Sequence, residues 1–268
     1  AIVIGVIGLA ITMFLMKYDS PKDRVENQFM SFIQQYGASY GTEEELQYRY
    51  QVFKSNLESY KQLEKENPQA KFGVTQFSDR TQEEFLQFLT LTIPEGIEIV
   101  EGETTTEVPN GKTKDWDTEV WQGKHYNQGA CGSCWAFSAI GSMEGAAYVQ
   151  FGERVHYSEQ QLVDCDKTCS GCGGGWMDNA FDYFKKHPVC TDQEYGYTAR
   201  QGSCKDDKCH GPTVSTYKQV KGEANIAKAL EDQPLSIAVD ASKWSGYRGG
   251  IYAGTESRLN HGVVLDFY

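Results

Sequence analysis

Gln128-Gly129-Ala130-Cys131-Gly132-Ser133-Cys134-Trp135-Ala136-Phe137-Ser138 decides the reading of this chain. Cys134 opens an apolar run whose later members, Ala139, Ile140, Met143, Ala146, Ala147 and Val149, recur at helical spacing as far as Phe151. A thiol in the first turn of a helix faces backbone N–H groups carrying partial positive charge, which favour thiolate over thiol. Most cysteines are small buried hydrophobes or disulfide partners, so a nucleophile needs a base to stand out from them. His261, in Leu259-Asn260-His261-Gly262-Val263-Val264, has a suitable context; His125, His156, His187 and His210 do not.

The Cys-Gly-Ser-Cys-Trp run, with a His placed about 130 residues downstream, resembles the papain-like cysteine peptidases, cathepsin L among them. The resemblance implies that Cys134 attacks a peptide carbonyl while Cys131 is tied into a disulfide. It implies that His261 pairs with the thiolate as imidazolium and later protonates the leaving amine. The Gln128 side-chain amide and the Cys134 backbone N–H would form the oxyanion hole. An Asn about 20 residues after the His orients the imidazole in this family. The given chain ends at Tyr268, short of that position, so the reading expects a truncated catalytic domain without its last strands.

Gly171-Cys172-Gly173-Gly174-Gly175 resembles the family's Gly-Cys-Asn-Gly-Gly, with Gly173 in the Asn place. Glycine admits close backbone approach, so Gly174 and Gly175 are candidates for pairing with an extended peptide. The resemblance lines the pocket for the residue two before the scissile bond with Trp176, Met177, Ala238, Leu259 and Gly262. Apolar walls beside a small Gly262 predict a preference for a bulky hydrophobic residue.

Upstream, residues 23–66 hold few Gly or Pro, with Phe29, Phe32, Ile33 and Tyr36, then Leu46, Tyr50, Phe53, Leu57 and Tyr60, at helical spacing. Glu45, Arg49, Phe53 and Asn56 resemble the prosegment signature of cathepsin L-like zymogens, and Gly73 to Asp79 resembles its Gly-x-Asn-x-Phe-x-Asp motif with Thr75 in the Asn place. Residues 1–18 read as a signal peptide or signal anchor, 19–91 as a helical inhibitory prosegment, 92–110 as a cleavable linker and 111–268 as the catalytic domain. The mature enzyme should begin between Val108 and Lys114, because Asp115-Trp116 matches the family's early Asp-Trp. Alone, Glu45 and Arg49 read as an i,i+4 surface pair. The implied fold is α+β: a papain-like two-domain fold, with a helical left domain and a β-barrel-like right domain, preceded by the helical prosegment. Strands are expected at Val214–Val220, Leu235–Val239, 250–252 and Val263–Tyr268, and helices from Cys134 to Phe151, Ser158 to Val163 and Trp176 to Lys186.

The chain has 268 residues and a net charge of −12, with no basic patch carrying interleaved aromatics, which argues against nucleic acid as a partner. Its eight cysteines suit an oxidising compartment, so the secretory route to a lysosome-like or extracellular site is expected. The apolar run from Ala1 to Met16 agrees, and is too short for a comfortable membrane span; membrane attachment would come only through this segment if it stays uncleaved. The resemblance pairs Cys131 with Cys172 and Cys165 with Cys204. Cys190 with Cys209 is the favoured third bridge, leaving Cys169 free or paired elsewhere. A zinc site from Cys169, Cys172, Cys204, Cys209 and His210 is the rival. No cofactor or metal is expected, and the enzyme should act as a monomer on protein or peptide substrates, inhibited by its own prosegment. Too few residues separate Cys172 from Cys190 for the occluding insertion of carboxypeptidase-like cathepsin B. The competing reading is a non-catalytic homologue that serves as a protein-binding or inhibitory module.

Overall fold

A computed structural model describes residues 21–97, 114–254 and 257–267, with side chains from Arg24 onward. The expected signal segment 1–18, most of the linker 92–110 and nearly all of the expected start of the mature enzyme lie outside the described residues. In chain order the α-helices are α1 (Pro21–Tyr36), α2 (Glu43–Glu66), α3 (Gln82–Leu86), α4 (Cys134–Phe151), α5 (Glu159–Cys165), α6 (Met177–Phe184) and α7 (Glu223–Leu230). The strands are β1 (Ala70–Phe72), β2 (Leu235–Val239), β3 (Tyr247–Gly250) and β4 (His261–Leu265). The chain separates into two compact units, Ala1–Phe85 with Lys243–Thr255, and Leu86–Ser242 with Glu256–Tyr268.

In the first unit the break between α1 and α2 has a local cause. Gly37 takes φ +64° and the Ala38 N–H bonds back to Ile33 O at 3.1 Å, a left-handed helix stop. α2 starts on a reciprocal cap: Thr42 Oγ1 accepts from the Glu45 N–H at 3.1 Å, and Glu45 Oε2 accepts from the Gly41 N–H at 3.0 Å. Glu45 is therefore occupied at the helix start and is not the partner of Arg49. The Arg49 guanidinium instead holds both carboxylate oxygens of Glu84, at 2.7 and 2.9 Å, and donates to Asp79 O at 3.1 Å. The planar fork meets both oxygens of the α3 carboxylate in parallel, while the Glu45 carboxylate is taken by the cap. Lower on the same face, Phe53 is fully buried among Phe29 and Phe32, and Asn56 Nδ2 donates to Ser78 O and Arg80 O at 2.9 and 2.8 Å. The four motif residues thus cap a helix, brace α3, fill a core and hold the turn at 78–80.

β3 belongs to this unit. It pairs antiparallel with β1, setting Ala70 opposite Gly250 and Phe72 opposite Tyr247 across an irregularity, and Phe72 sits edge-on to Tyr247 and Tyr252. The expected strand near 250–252 is thus displaced toward 247–250. Gly246 leaves room for the Tyr60 ring, where any Cβ would collide.

The second unit is built on α4, whose residues are buried on nearly every side. Gly141 and Gly145 let it press against Val264 and Pro234, since a Cβ at either place would overlap those side chains. β2 and β4 pair antiparallel from Leu235 opposite Leu265 to Val239 opposite His261, and Ser138 Oγ of α4 donates to Val263 O at 2.7 Å. Ser158 caps α5, its Oγ accepting from the Gln161 N–H at 3.0 Å. Val214–Val220 forms no strand, because β propensity needs a partner edge and, among the described residues, only Val214, bonded to Phe184 O at 3.0 Å, finds a backbone neighbour in this segment. The chain then enters α7, which the reading did not anticipate and which buries Leu230 beside Trp116 and Val120.

Candidate active site

Cys134 opens α4 with 1% of its surface exposed. The loop before it is fixed by the Cys131–Cys172 disulfide and by the Gly132 N–H bonded to Cys172 O at 2.9 Å. His261 opens β4, and its neighbour Gly262 explains how strand and helix meet. A Cβ at residue 262 would stand 3.2 Å from Cys134 O and 3.3 Å from Met177 Sδ, so glycine lets the head of β4 close on the first turn of α4. Two residues distant in sequence are thereby held at neighbouring element starts.

The segment after α3 lies across this place. Leu91 bridges Gly175 in parallel, its N–H bonding to Asn260 O at 3.1 Å, and the Thr92 N–H bonds to Gly175 O at 3.1 Å. Thr90 Oγ1 donates to Gly132 O at 2.8 Å. Gly174, at φ +115°, faces the Thr90 carbonyl so closely that a side chain there would overlap it. Leu91 is buried in the cluster that holds Cys134 and Met177, with Trp176 and Ala238 packed against it. Leu259 is half-buried and is not part of that cluster among the described residues. Thr90 and Leu91 were not singled out in the sequence; a Leu flanked by two threonines just after the prosegment motifs was the available signal.

Burial reverses the expected ionisation. It pushes the Cys134 thiol up, opposed by the backbone of Gly262, Thr90 and Trp135 and by the Thr90 hydroxyl. It lowers His261 to about 4. Under residues 90–92 Cys134 therefore favours the thiol and His261 the neutral imidazole, because loss of water outweighs the positive end of α4.

Gln128 Nε2 donates to Cys131 O at 2.9 Å and to Phe88 O at 3.4 Å. The Tyr197 hydroxyl, edge-on to Phe137, donates to Gln128 O at 2.7 Å and lies 2.6 Å from Ser133 Oγ. With its one proton on Gln128, Tyr197 accepts from Ser133. No sequence signal marks this tie between the Gln128 loop and the residue before Cys134.

Cys165–Cys204 and Cys190–Cys209 are bonded, and Cys169 is a free thiol. With Cys172, Cys204 and Cys209 in disulfides, the zinc arrangement on those cysteines is overturned. Cys169 Sγ lies against Gly175, and burial pushes its thiol up to about 11.

Residues 111–268 match the papain family cysteine protease profile, and residues 29–85 match the cathepsin propeptide inhibitor domain (I29). The chain belongs to the papain family of cysteine proteases. It is a cysteine endopeptidase joined to an inhibitory propeptide domain, the zymogen form of such an enzyme. It is 40% identical over 261 residues to cysteine proteinase 15A of Pisum sativum, covering 90% of this chain and 71% of that protein. The solved recombinant stem bromelain precursor superposes with a TM-score of 0.79 at 29% identity, covering 91% of this chain and 82% of that one. Digestive procathepsin L 3 of Tenebrio molitor larval midgut follows at 0.76 and 28%, covering 91% and 84%.

Proposed function

We propose that Cys134 is the nucleophile, His261 its proton partner, and Gln128 with the Cys134 N–H the oxyanion donors. The observation that carries this reading is the meeting of α4 and β4 across Gly262, which sets the buried thiol at a helix start beside the strand that begins with His261. Removing residues 90–92 readmits water, frees Gln128 from Phe88 and lets the thiolate–imidazolium pair form. The prosegment spans 19–91, the linker 92–110 and the catalytic domain 111–268. A hydrophobic residue two before the scissile bond docks where Leu91 now sits, against Met177, Trp176, Ala238 and Gly262, with Leu259 at the rim and Gly174 and Gly175 pairing with backbone. Three disulfides support passage through the secretory pathway to a lysosome-like or extracellular site.

Processed enzyme treated with iodoacetamide is expected to carry one label, on Cys134, since Cys169 is held as thiol. Cys134→Ala should abolish turnover; residual hydrolysis by that variant removes the assignment. Fluorogenic peptides with Leu or Phe at the pocket position should outrun those with Gly or Asp by roughly 10-fold or more, the worth of one buried side chain. Equal rates across the series remove the pocket reading and leave the nucleophile standing.

A further inference from the structure

Apart from the residues proposed for the chemistry, three ligand-type side chains converge. His156, Glu159 and Asp192 each offer one donor atom, and the three atoms all lie within 4.8 Å of one another. Glu159 is 2% exposed, and its Oε2 has no hydrogen-bond partner. A bare carboxylate oxygen taken out of water is costly unless a proton or a cation meets it. His156 Nε2 stands 3.8 Å away, too far for a hydrogen bond and a fitting separation for two ligands that share an ion.

The supporting groups are arranged as they are around metal-bound imidazoles. His156 Nδ1 is 2.8 Å from Glu144 Oε1, an arrangement that places the proton on Nδ1 and the lone pair on Nε2. Glu144 is itself fixed by the Tyr157 N–H at 2.9 Å and by Trp121 Nε1–H at 2.6 Å. Tyr126 stacks on the imidazole at 3.8 Å between centroids and 5° between planes. Backbone joins the two contributing loops: the Asp192 N–H bonds to His156 O at 2.9 Å, Tyr157 bridges Thr191, and the Ser158 N–H bonds to Cys190 O at 3.0 Å. The donors are therefore held together by elements that need no ion to form.

We propose that His156, Glu159 and Asp192 bind a divalent metal ion of the zinc class, with water completing the shell at the half-exposed Asp192 side. One imidazole with two carboxylates favours Zn2+ over Ca2+ or Mg2+, which take all-oxygen sets. The site is structural and shares no ligand with the residues proposed for the chemistry. Asp192 Oδ1 also accepts from the Tyr197 N–H at 3.2 Å, so the ion would steady the loop whose Tyr197 hydroxyl holds Gln128. The ligand spacing, an i,i+3 pair and a distant Asp, resembles no zinc motif, which is why the sequence did not disclose it.

The test uses the full-length Cys134→Ala proenzyme, which neither cuts itself nor offers the active-site thiolate. After chelation and dialysis, calorimetric titration with Zn2+ should give one site, and Co2+ should give visible absorption bands of a low-coordinate ion. Asp192→Asn and His156→Gln, each tested as folded protein by circular dichroism, should weaken Zn2+ binding at least 10-fold, while Cys169→Ser leaves it unchanged. Zn2+ should raise the melting temperature of the parent and of Cys169→Ser but not of Asp192→Asn. Absence of a one-to-one Zn2+ site, unchanged affinity in both ligand variants, loss in Cys169→Ser, or tighter binding of Ca2+ than of Zn2+ each overturns the proposal.

Discussion

The Thr90 hydroxyl donates to Gly132 O at 2.8 Å, while the carbonyl of the same residue occupies the space a side chain would need at Gly174. One threonine thus touches both of the loops that the Cys131–Cys172 disulfide joins beside the thiol. Gly174→Ala must displace the Thr90 carbonyl and also strain a φ of +115°. In the Cys134→Ser zymogen this change should lower hydrogen-exchange protection of the Leu91 and Thr92 amides by at least about 10-fold, on the order of 1–3 kcal/mol. Unchanged protection would show that the close approach is incidental.

Opening of residues 90–92 should respond to pH through His261. In the closed form its pKa is lowered to about 4 by burial, against an ordinary value of about 6.5 in water. The open form of the Cys134→Ser zymogen therefore binds more protons as pH falls from about 6.5 toward 4, and closure weakens across that window before levelling off. With Cys134 present the proton can move from thiol to imidazole, so opening takes up none and the dependence flattens there. Protection factors for the Leu91 amide, measured in both proteins between pH 4 and 7, check the contrast; identical slopes would contradict it.

Arg49 and Glu84 make the acid-sensitive pair of the prosegment. The Arg49 guanidinium, helped by the Thr81 backbone, lowers the Glu84 carboxyl to about 2. Stability from this pair is fully present above the unfolded value of about 4.3 and drains away as pH falls toward 2. Glu84→Gln should cost about 1–2 kcal/mol, the worth of a charge-assisted pair, and lower exchange protection in α1 and α2 roughly 10-fold at pH 7. The penalty should vanish near pH 2, and a constant penalty down to that pH would refute the assignment.

Tyr197→Phe removes the hydroxyl shared by Gln128 O and Ser133 Oγ. The fold should survive with a loss of about 1–2 kcal/mol, and kcat should fall more than KM rises, because Gln128, the proposed oxyanion donor, loses its footing while Gly174 and Gly175, proposed to pair with peptide, keep theirs. A fall confined to stability, with kcat intact, would leave Tyr197 a purely structural residue.

The sequence by itself determined the family, the α4 helix from Cys134 to Phe151, the Leu235–Val239 strand and the residues proposed for the chemistry, whereas the strand expected at Val263–Tyr268 lies at His261–Leu265, set by its pairing with β2. These were legible because helix period, glycine placement and the Cys134 and His261 contexts are written in contiguous residues. What lay beyond it depended on atoms brought together from far apart. Glu45 and Arg49 sit one turn apart, yet the cap at Gly41 and Thr42 takes the first and the carboxylate of Glu84 takes the second, a competition visible only once α3 is in place. Val214–Val220 has strand-forming residues without an edge to pair with, whereas β3 finds its edge in β1 of the N-terminal unit. The charge states of Cys134 and His261 were likewise decided by burial: a helix start favours thiolate, but the desolvation imposed with residues 90–92 in place is the larger effect, and it exists only in the folded chain.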